Sequence, residues 1–106
     1  MSVNENSKNA EKSESQITKE SIELWIDELK EHLEIPETDI DINRLLKLAG
    51  VAAHTVVRPA APVSTYVIGY VVGLAEASGQ ATYEQAFNAA SRVAEGLLEQ
   101  RGHAEG

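Results

Sequence analysis

Two prolines close together, Pro59 and Pro62, interrupt a chain whose other segments follow the spacing of amphipathic helices. Proline disfavours helical backbone in the residue before it, so the helix that precedes this pair should end near Val57. Proline is well tolerated in the first turn of a helix, so Pro62 suits the start of the next one. The sequence therefore predicts a helical corner here, with a new helix over about residues 63–77.

The segment after Pro62 is rich in β-branched residues, which leaves a strand open as an alternative. Two internal glycines, Gly69 and Gly73, would weaken a strand, and the apolar residues keep a 3.6-residue period. We therefore favour a helix that stops at Gly79. Its periodic apolar residues are Val63, Tyr66, Val67, Tyr70, Val71 and Leu74.

Three further helices are predicted from their start and stop signals. The first runs from about residue 18 or 21 to residue 34. The second begins after Asp41, a good N-cap residue. The last begins at Thr82, which forms a capping box with Gln85, and ends at Gly102. The apolar stripe predicted for the second helix is Ile42, Leu45, Leu46, Ala49, Ala52, Ala53 and Val56, and that of the last is Tyr83, Phe87, Ala90, Val93, Ala94 and Leu97.

These elements predict an all-α fold, a compact bundle of about four helices, with no internal repeat. A chain of 106 residues forms one domain at most, and it has no cysteine, which excludes disulfides. Residues 1–17 are polar and are expected to be a disordered tail. The helical domain is expected over residues 18–102, followed by a short tail at 103–106.

The negative charge is concentrated in residues 20–41, where nine acids stand against Lys30 alone and account for the net charge of −8. Nucleic acid is not an expected partner, because phosphate-backbone binding needs clustered Lys and Arg. Five acids recur along one side of the first helix and are called the acidic ridge: Glu20, Glu23, Asp27, Glu31 and Glu34. The ridge is interpreted either as a solvated face or as a docking surface for a basic partner. In a homodimer that partner would be the side of a second copy that carries Lys47, His54 and Arg58, with Arg44 nearby.

The corner itself is the candidate ligand site. His54 and Arg58 are four residues apart on one helical face, and Ser64 and Thr65 open the next helix. Helix amino ends favour anions, and arginine adds a bidentate fork, so the four residues could bind a phosphate-bearing ligand. One alternative is structural: the two basic side chains cap carbonyls of the second helix, and the Ser64 or Thr65 hydroxyl bonds to its own backbone. The other alternative is a contact with a protein partner at this corner.

Catalysis is not expected. A histidine near a serine lacks the orienting acid and oxyanion hole of a triad, and no phosphate-binding glycine motif is present. No cofactor is indicated. The three histidines lack metal-ligand spacing, and the acidic loop at residues 37–41 lacks the regular ligand pattern of a calcium loop.

A membrane location is not expected either. The predicted helix over residues 63–77 is about 22 Å long, shorter than the roughly 30 Å hydrocarbon core. A helix that is apolar nearly all round is typical of the buried centre of a bundle. Gly69 and Gly73 would then admit a neighbouring helix. No signal-peptide pattern opens the sequence, so a cytoplasmic location is the expectation.

One motif resembles a known family. The run Arg58-Pro59-Ala60-Ala61-Pro62-Val63-Ser64-Thr65-Tyr66, with His54 before it, Gly69 after it and a helix containing Trp25 upstream, resembles a small bacterial helical domain of unknown function. In some proteins that domain is fused to the C-terminus of a molybdenum cofactor guanylyltransferase. The resemblance covers about residues 21–100 and implies an accessory or protein-interaction module linked to molybdopterin guanine dinucleotide maturation. It implies no catalytic residues.

Overall fold

The computed structural model describes residues 13–105, with side chains to residue 103, and contains four helices. These are α1 (Glu14–His32), α2 (Ile42–Thr55), α3 (Ala60–Ala77) and α4 (Tyr83–Glu105). No strand occurs in the described range, so the all-α prediction is confirmed, including the helix over the β-branched segment. The chain divides into two units, residues 1–40 with α1 and residues 41–106 with the other three helices.

Helix α1 begins earlier than the sequence predicts. Ser13 is its N-cap, and the Ser13 hydroxyl accepts a hydrogen bond from the Gln16 amide at 3.2 Å. The last residues of the predicted disordered tail are therefore helical, while residues 1–12 lie outside the described residues. The helix ends at His32, and Glu34 follows in the left-handed region with φ 63°. Glu34 thus lies beyond the helix that was predicted to carry it.

The predicted starts of α2 and α4 are confirmed. The Asp41 carboxylate accepts a hydrogen bond from the Arg44 amide at 3.1 Å. At α4 the Thr82 hydroxyl accepts from the Gln85 amide, and the Gln85 side chain accepts from the Thr82 amide, both at 3.1 Å. The predicted stop at Gly102 is wrong, because α4 continues to Glu105. A glycine inside a helix costs only about 1 kcal/mol and does not by itself end it.

Helix α3 starts at Ala60, three residues before the predicted start, and Pro62 falls within its first turn. Its end confirms the prediction. Gly79 has φ 79°, the Gly79 amide donates to the Glu76 carbonyl at 3.1 Å, and the Gln80 amide donates to the Ala75 carbonyl at 3.0 Å. These two bonds form a Schellman motif, for which glycine is the favoured left-handed residue.

The core of the unit at residues 41–106 is a small cluster drawn from α2, α3 and α4. Its buried members are Leu48, Ile68, Val72, Ala86 and Phe87. Leu48 was not part of the predicted stripe of α2, whereas the predicted Leu46 is exposed. In α4 the predicted Val93 and Leu97 are likewise exposed. The reason is that both helices carry apolar residues on more than one side, and tertiary packing selects among them.

Candidate functional site

The corner between α2 and α3 holds the four residues predicted to bind an anion. His54 and Arg58 are exposed, and Ser64 and Thr65 are partly buried. Within residues 13–105, neither the His54 ring nor the Arg58 guanidinium forms a hydrogen bond. The structural alternative, in which these two side chains cap carbonyls of α2, is therefore not observed.

The backbone donors at the amino end of α3 are already paired. The Ala60 amide donates to the Val57 carbonyl at 2.9 Å, and the Ala61 amide donates to the Arg58 carbonyl at 3.1 Å. Pro62 has no N–H. The Thr65 hydroxyl donates to the Pro62 carbonyl at 2.9 Å, as the structural alternative for that residue predicts. An anion at this corner would consequently rely on side chains rather than on the helix end.

Ser64 belongs to a different environment from the two basic side chains. It lines a shallow cavity of about 290 Å³ between α3 and α4, whose lining residues are Ala60, Val63, Ser64, Val67, Ile68 and Ala94. His54 and Arg58 are not part of that lining. The structure thus leaves the four predicted residues near one corner without gathering them around one cavity.

The acidic ridge is partly reproduced on α1. Glu23, Asp27 and Glu31 are exposed, and Glu20 is partly buried. Glu34 is exposed but follows the end of the helix. None of the described side chains of α1 is buried, so Glu23, Asp27 and Glu31 present their carboxylates to solvent.

The largest departure from expectation is on α3. A helix that is apolar nearly all round was expected to be the buried centre of the bundle, yet only Ile68 and Val72 are buried, 11% of an 18-residue window. The opposite side is open and is called the exposed α3 face. It comprises Val63, Tyr66, Val67, Tyr70, Val71 and Leu74, each 46–75% exposed.

The two glycines of α3 lie beside this face without a neighbour. A Cβ added at Gly69 or at Gly73 would meet no atom within 4 Å. Within the unit at residues 41–106, no neighbouring helix therefore approaches either glycine, contrary to the prediction. Both glycines are exposed, and they lie three residues after Tyr66 and Tyr70 of the exposed α3 face.

By length and composition alone, α3 could cross a membrane. Its mean hydropathy is 1.2 over 18 residues. An 18-residue helix is about 27 Å long, slightly less than a typical hydrocarbon core. One helix of this length and composition is weak evidence for a membrane span.

A polar cluster that joins α2 to α4 was not predicted from the sequence. The Arg44 guanidinium donates to both oxygens of Glu95, at 3.0 and 3.1 Å, and to the Asn88 side-chain oxygen at 2.9 Å. It also lies over the Phe87 ring, 5.6 Å from the centroid. No local pattern could have revealed it, because Arg44 and Glu95 are 51 residues apart.

The electrostatics of this cluster are those of a structural ion pair. The hydrogen bond from Arg44 lowers the pKa of the Glu95 carboxyl below its ordinary value, and Lys47 and Arg92 act in the same direction. The hydrogen bond to Glu95 raises the pKa of Arg44 in turn. Both groups are thus held charged, which fits a clamp between helices rather than an acid or a base.

No metal centre is indicated for the part of the chain that the structure describes. Among residues 13–105, no group of three or more His, Asp or Glu side chains is arranged to hold an ion. What the described surface offers instead is one apolar face, one acidic ridge and one pair of unpaired basic side chains. These are features suited to binding.

Comparison with known families assigns the chain to one of them. The model of a domain of unknown function, DUF6457, matches residues 18–106. No match was found among curated proteins or among solved structures. The matched range includes most of α1 and all of α2, α3 and α4, so it spans both units of the structure.

Proposed function

Since the chain belongs to the DUF6457 family, whose members are described as domains of unknown function, we propose that it is a non-catalytic protein-interaction module. The exposed α3 face carries this proposal. Its side chains are apolar and 46–75% exposed, and no charged residue occurs from Pro59 to Ala75. Continuous apolar patches of this kind mark interaction sites on soluble proteins.

The more specific proposal is that the module acts in the cytoplasm as an accessory to molybdenum cofactor maturation. Its partner would be a guanylyltransferase or an enzyme that receives the molybdopterin guanine dinucleotide. The support for this link is the family resemblance of the Arg58 to Tyr66 run, which implies an association with such transferases. Charged contacts with that partner would come from the acidic ridge on α1 and from Arg58, whose guanidinium makes no hydrogen bond within residues 13–105. Such contacts would chiefly set the rate and the specificity of association.

Reversing the charge of the ridge tests this proposal. The triple change Glu23→Lys, Asp27→Lys and Glu31→Lys, combined with Arg58→Ala, should weaken binding to a molybdenum cofactor guanylyltransferase from the same organism by tenfold or more. The expected loss follows from replacing attraction with repulsion across a charged contact. Isothermal titration calorimetry at two salt concentrations measures it, because salt screens this contribution.

A matched control keeps the change in net charge but moves it off the ridge. Glu37→Lys, Glu76→Lys and Glu99→Lys, combined with Arg101→Ala, alter three exposed acids and one exposed arginine elsewhere and should leave the affinity within about twofold. Unchanged binding by the ridge variant, or an equal loss in the control, would refute a docking role for the ridge.

The alternative function is a small-molecule site for a phosphate-bearing ligand at the corner. The observation in its favour is that the exposed Arg58 and His54 side chains make no hydrogen bond within residues 13–105. Arginine binds phosphate oxygens through two parallel donors, which an unpaired guanidinium can offer. The paired amides of Ala60 and Ala61 limit this site to side-chain donors.

Thermal melts test the corner directly. Phosphate, a guanine nucleotide or a molybdopterin cofactor should raise the Tm of the wild type by several degrees if it binds, because a ligand stabilises the folded state. Arg58→Ala should abolish the rise, and Arg58→Lys should keep part of it, since lysine retains the charge without the fork. The same rise in all three proteins, or none in any, would eliminate this alternative.

A further inference from the structure

We propose that the exposed α3 face is the contact through which two copies of this chain form a symmetric dimer. The inference deepens the proposed function by naming a partner for this face. It rests on that function only in treating the face as an interaction surface. The contact would be isologous, with the same residues of each copy meeting across a two-fold axis.

The area of the face matches what such a dimer requires. Its six side chains are 46–75% exposed. At those fractions, three valines, two tyrosines and a leucine present roughly 700 Å² to solvent, given that a tyrosine alone can bury 150–250 Å². A stable interface of standard size buries about 800 Å² per partner. The exposed α3 face of one copy, packed against that of a second copy, would therefore bury nearly the area of a complete interface.

The charge distribution permits self-association through this face in particular. The chain carries a net charge of −8, which would oppose contact between two copies through most surfaces. The imbalance lies in residues 20–41, whereas no charged residue occurs from Pro59 to Ala75. Two copies can therefore bring their α3 helices together without placing one acid against another.

Large and small residues lie next to each other on this side of α3, an arrangement that two copies can use to pack together. Tyr66 and Tyr70 are 75% and 63% exposed and protrude from the helix, while Gly69 and Gly73 beside them have open space where a Cβ would lie. In an antiparallel pair of α3 helices, the tyrosines of one copy can pack over the glycines of the other. Tyrosine suits this position because its ring is apolar and its hydroxyl can remain hydrated at the rim.

A lipid surface fits the same residues less well. Helices that lie in the membrane interface carry Lys and Arg on their polar side, which attract anionic lipid. Residues 59–75 have no charge, and the rest of the chain is acidic in balance. A second copy needs no basic residue, which favours it over a membrane.

Sedimentation equilibrium over a range of concentrations measures the dimer. The wild type should show twice the mass of the chain at micromolar concentration. Leu74→Glu places a charge within the exposed α3 face and should weaken association at least tenfold. Leu46→Glu is the matched control, because Leu46 is a comparably exposed leucine of α2 outside the face, and it should leave the dimer intact.

A second pair of variants separates packing from folding. Gly73→Leu places a bulky side chain beside the face, where a tyrosine of the second copy would pack, and should weaken the dimer. It should also increase helix stability, because leucine has the higher helix propensity. Gly50→Leu is its control, since Gly50 is also helical, exposed and without an atom within 4 Å of an added Cβ. It should increase helix stability and keep the dimer. Circular dichroism confirms that each variant is folded.

A wild-type chain that stays monomeric at all concentrations would overturn the inference. So would a dimer that the controls weaken as much as the variants of the face. Neither result bears on the titrations with a guanylyltransferase, which depend on the acidic ridge and Arg58. Failure of the dimer and failure of the proposed function are therefore distinguishable.

Discussion

Phe87→Ala is expected to unfold the unit at residues 41–106 or leave it barely stable. Phe87 is 7% exposed and belongs to the only buried apolar cluster that the described residues form. Truncating a buried phenylalanine costs about 3–5 kcal/mol, through lost transfer free energy and the cavity that remains. A unit of this size has a total stability of roughly 3–10 kcal/mol. Thermal unfolding followed by circular dichroism should show a Tm lower by 15 °C or more, or no cooperative transition.

Two further contacts of the Phe87 ring add to the effect. The Tyr83 ring stacks on it with centroids 6.1 Å apart, and the Arg44 guanidinium lies 5.6 Å from its centroid.

The control for Phe87→Ala is Leu97→Ala on the same helix, where the side chain is 61% exposed and little burial is lost. Its Tm should stay within a few degrees of the wild type. Comparable losses in the two variants would mean that Phe87 is not the centre of the core.

Arg44→Ala is expected to lower the free energy of unfolding at neutral pH by about 1–2 kcal/mol. The change removes three charge-assisted hydrogen bonds and the contact with the Phe87 ring. The loss stays modest because the two side chains are 26% and 42% exposed, so that solvent screens the ion pair. Urea unfolding at pH 7 measures it.

The loss of stability in Arg44→Ala should also depend on pH, and the direction of this dependence follows from the lowered pKa of Glu95. The hydrogen bond from Arg44 lowers the pKa of the Glu95 carboxyl in the folded state from its ordinary value of 4.5. The ion pair therefore stabilises the folded state fully above about pH 4.5. This stabilisation is lost as the pH falls through the lowered pKa of Glu95 in the folded state. The difference in stability between wild type and Arg44→Ala should shrink from pH 7 to pH 3.

Arg44→Lys separates charge from geometry in this clamp. Lysine keeps the positive charge but cannot donate two parallel bonds to the Glu95 carboxylate, so its stability should lie between those of wild type and Arg44→Ala. A gap between wild type and Arg44→Ala that is equally large at pH 7 and pH 3 would contradict the assignment of this pair as an ionic link between α2 and α4.

The ends of the helices were predictable because they depend on neighbouring residues. Asp41 caps α2, Thr82 and Gln85 form the predicted box, and Gly79 takes the left-handed conformation that ends α3. Each of these signals acts over three or four residues, a range that a sequence displays directly. Gly102 is the exception, since a glycine without a following turn does not stop a helix.

The buried faces were less predictable, and α3 shows why. Its periodic residues, from Val63 to Leu74, read as a core stripe, yet they are the exposed face, and Ile68 and Val72 are buried instead. Periodicity reveals an apolar side only by contrast with a polar one. This helix has no charged residue before Glu76, so the contrast is missing and packing with α2 and α4 decides.

The candidate sites, too, were predictable only where they depend on residues close together in the sequence. The sequence correctly located a helical corner, but it could not show that the Ala60 and Ala61 amides would be occupied by turn carbonyls. It identified an acidic ridge on α1 but not the clamp between Arg44 and Glu95, whose members meet only in the folded chain. It also gave no sign that the most apolar helix would leave one side uncovered.

The most direct test of the interaction surface is hydroxyl-radical footprinting of the three tyrosines at low and high protein concentration. Tyr66 and Tyr70 lie on the exposed α3 face, and Tyr83 is a partly buried reference elsewhere in the same unit. If two copies meet through this face, labelling of Tyr66 and Tyr70 should fall as concentration rises, while that of Tyr83 stays constant. Labelling of Tyr66 and Tyr70 that stays high at every concentration, including those at which the chain is dimeric, would contradict a contact through this face.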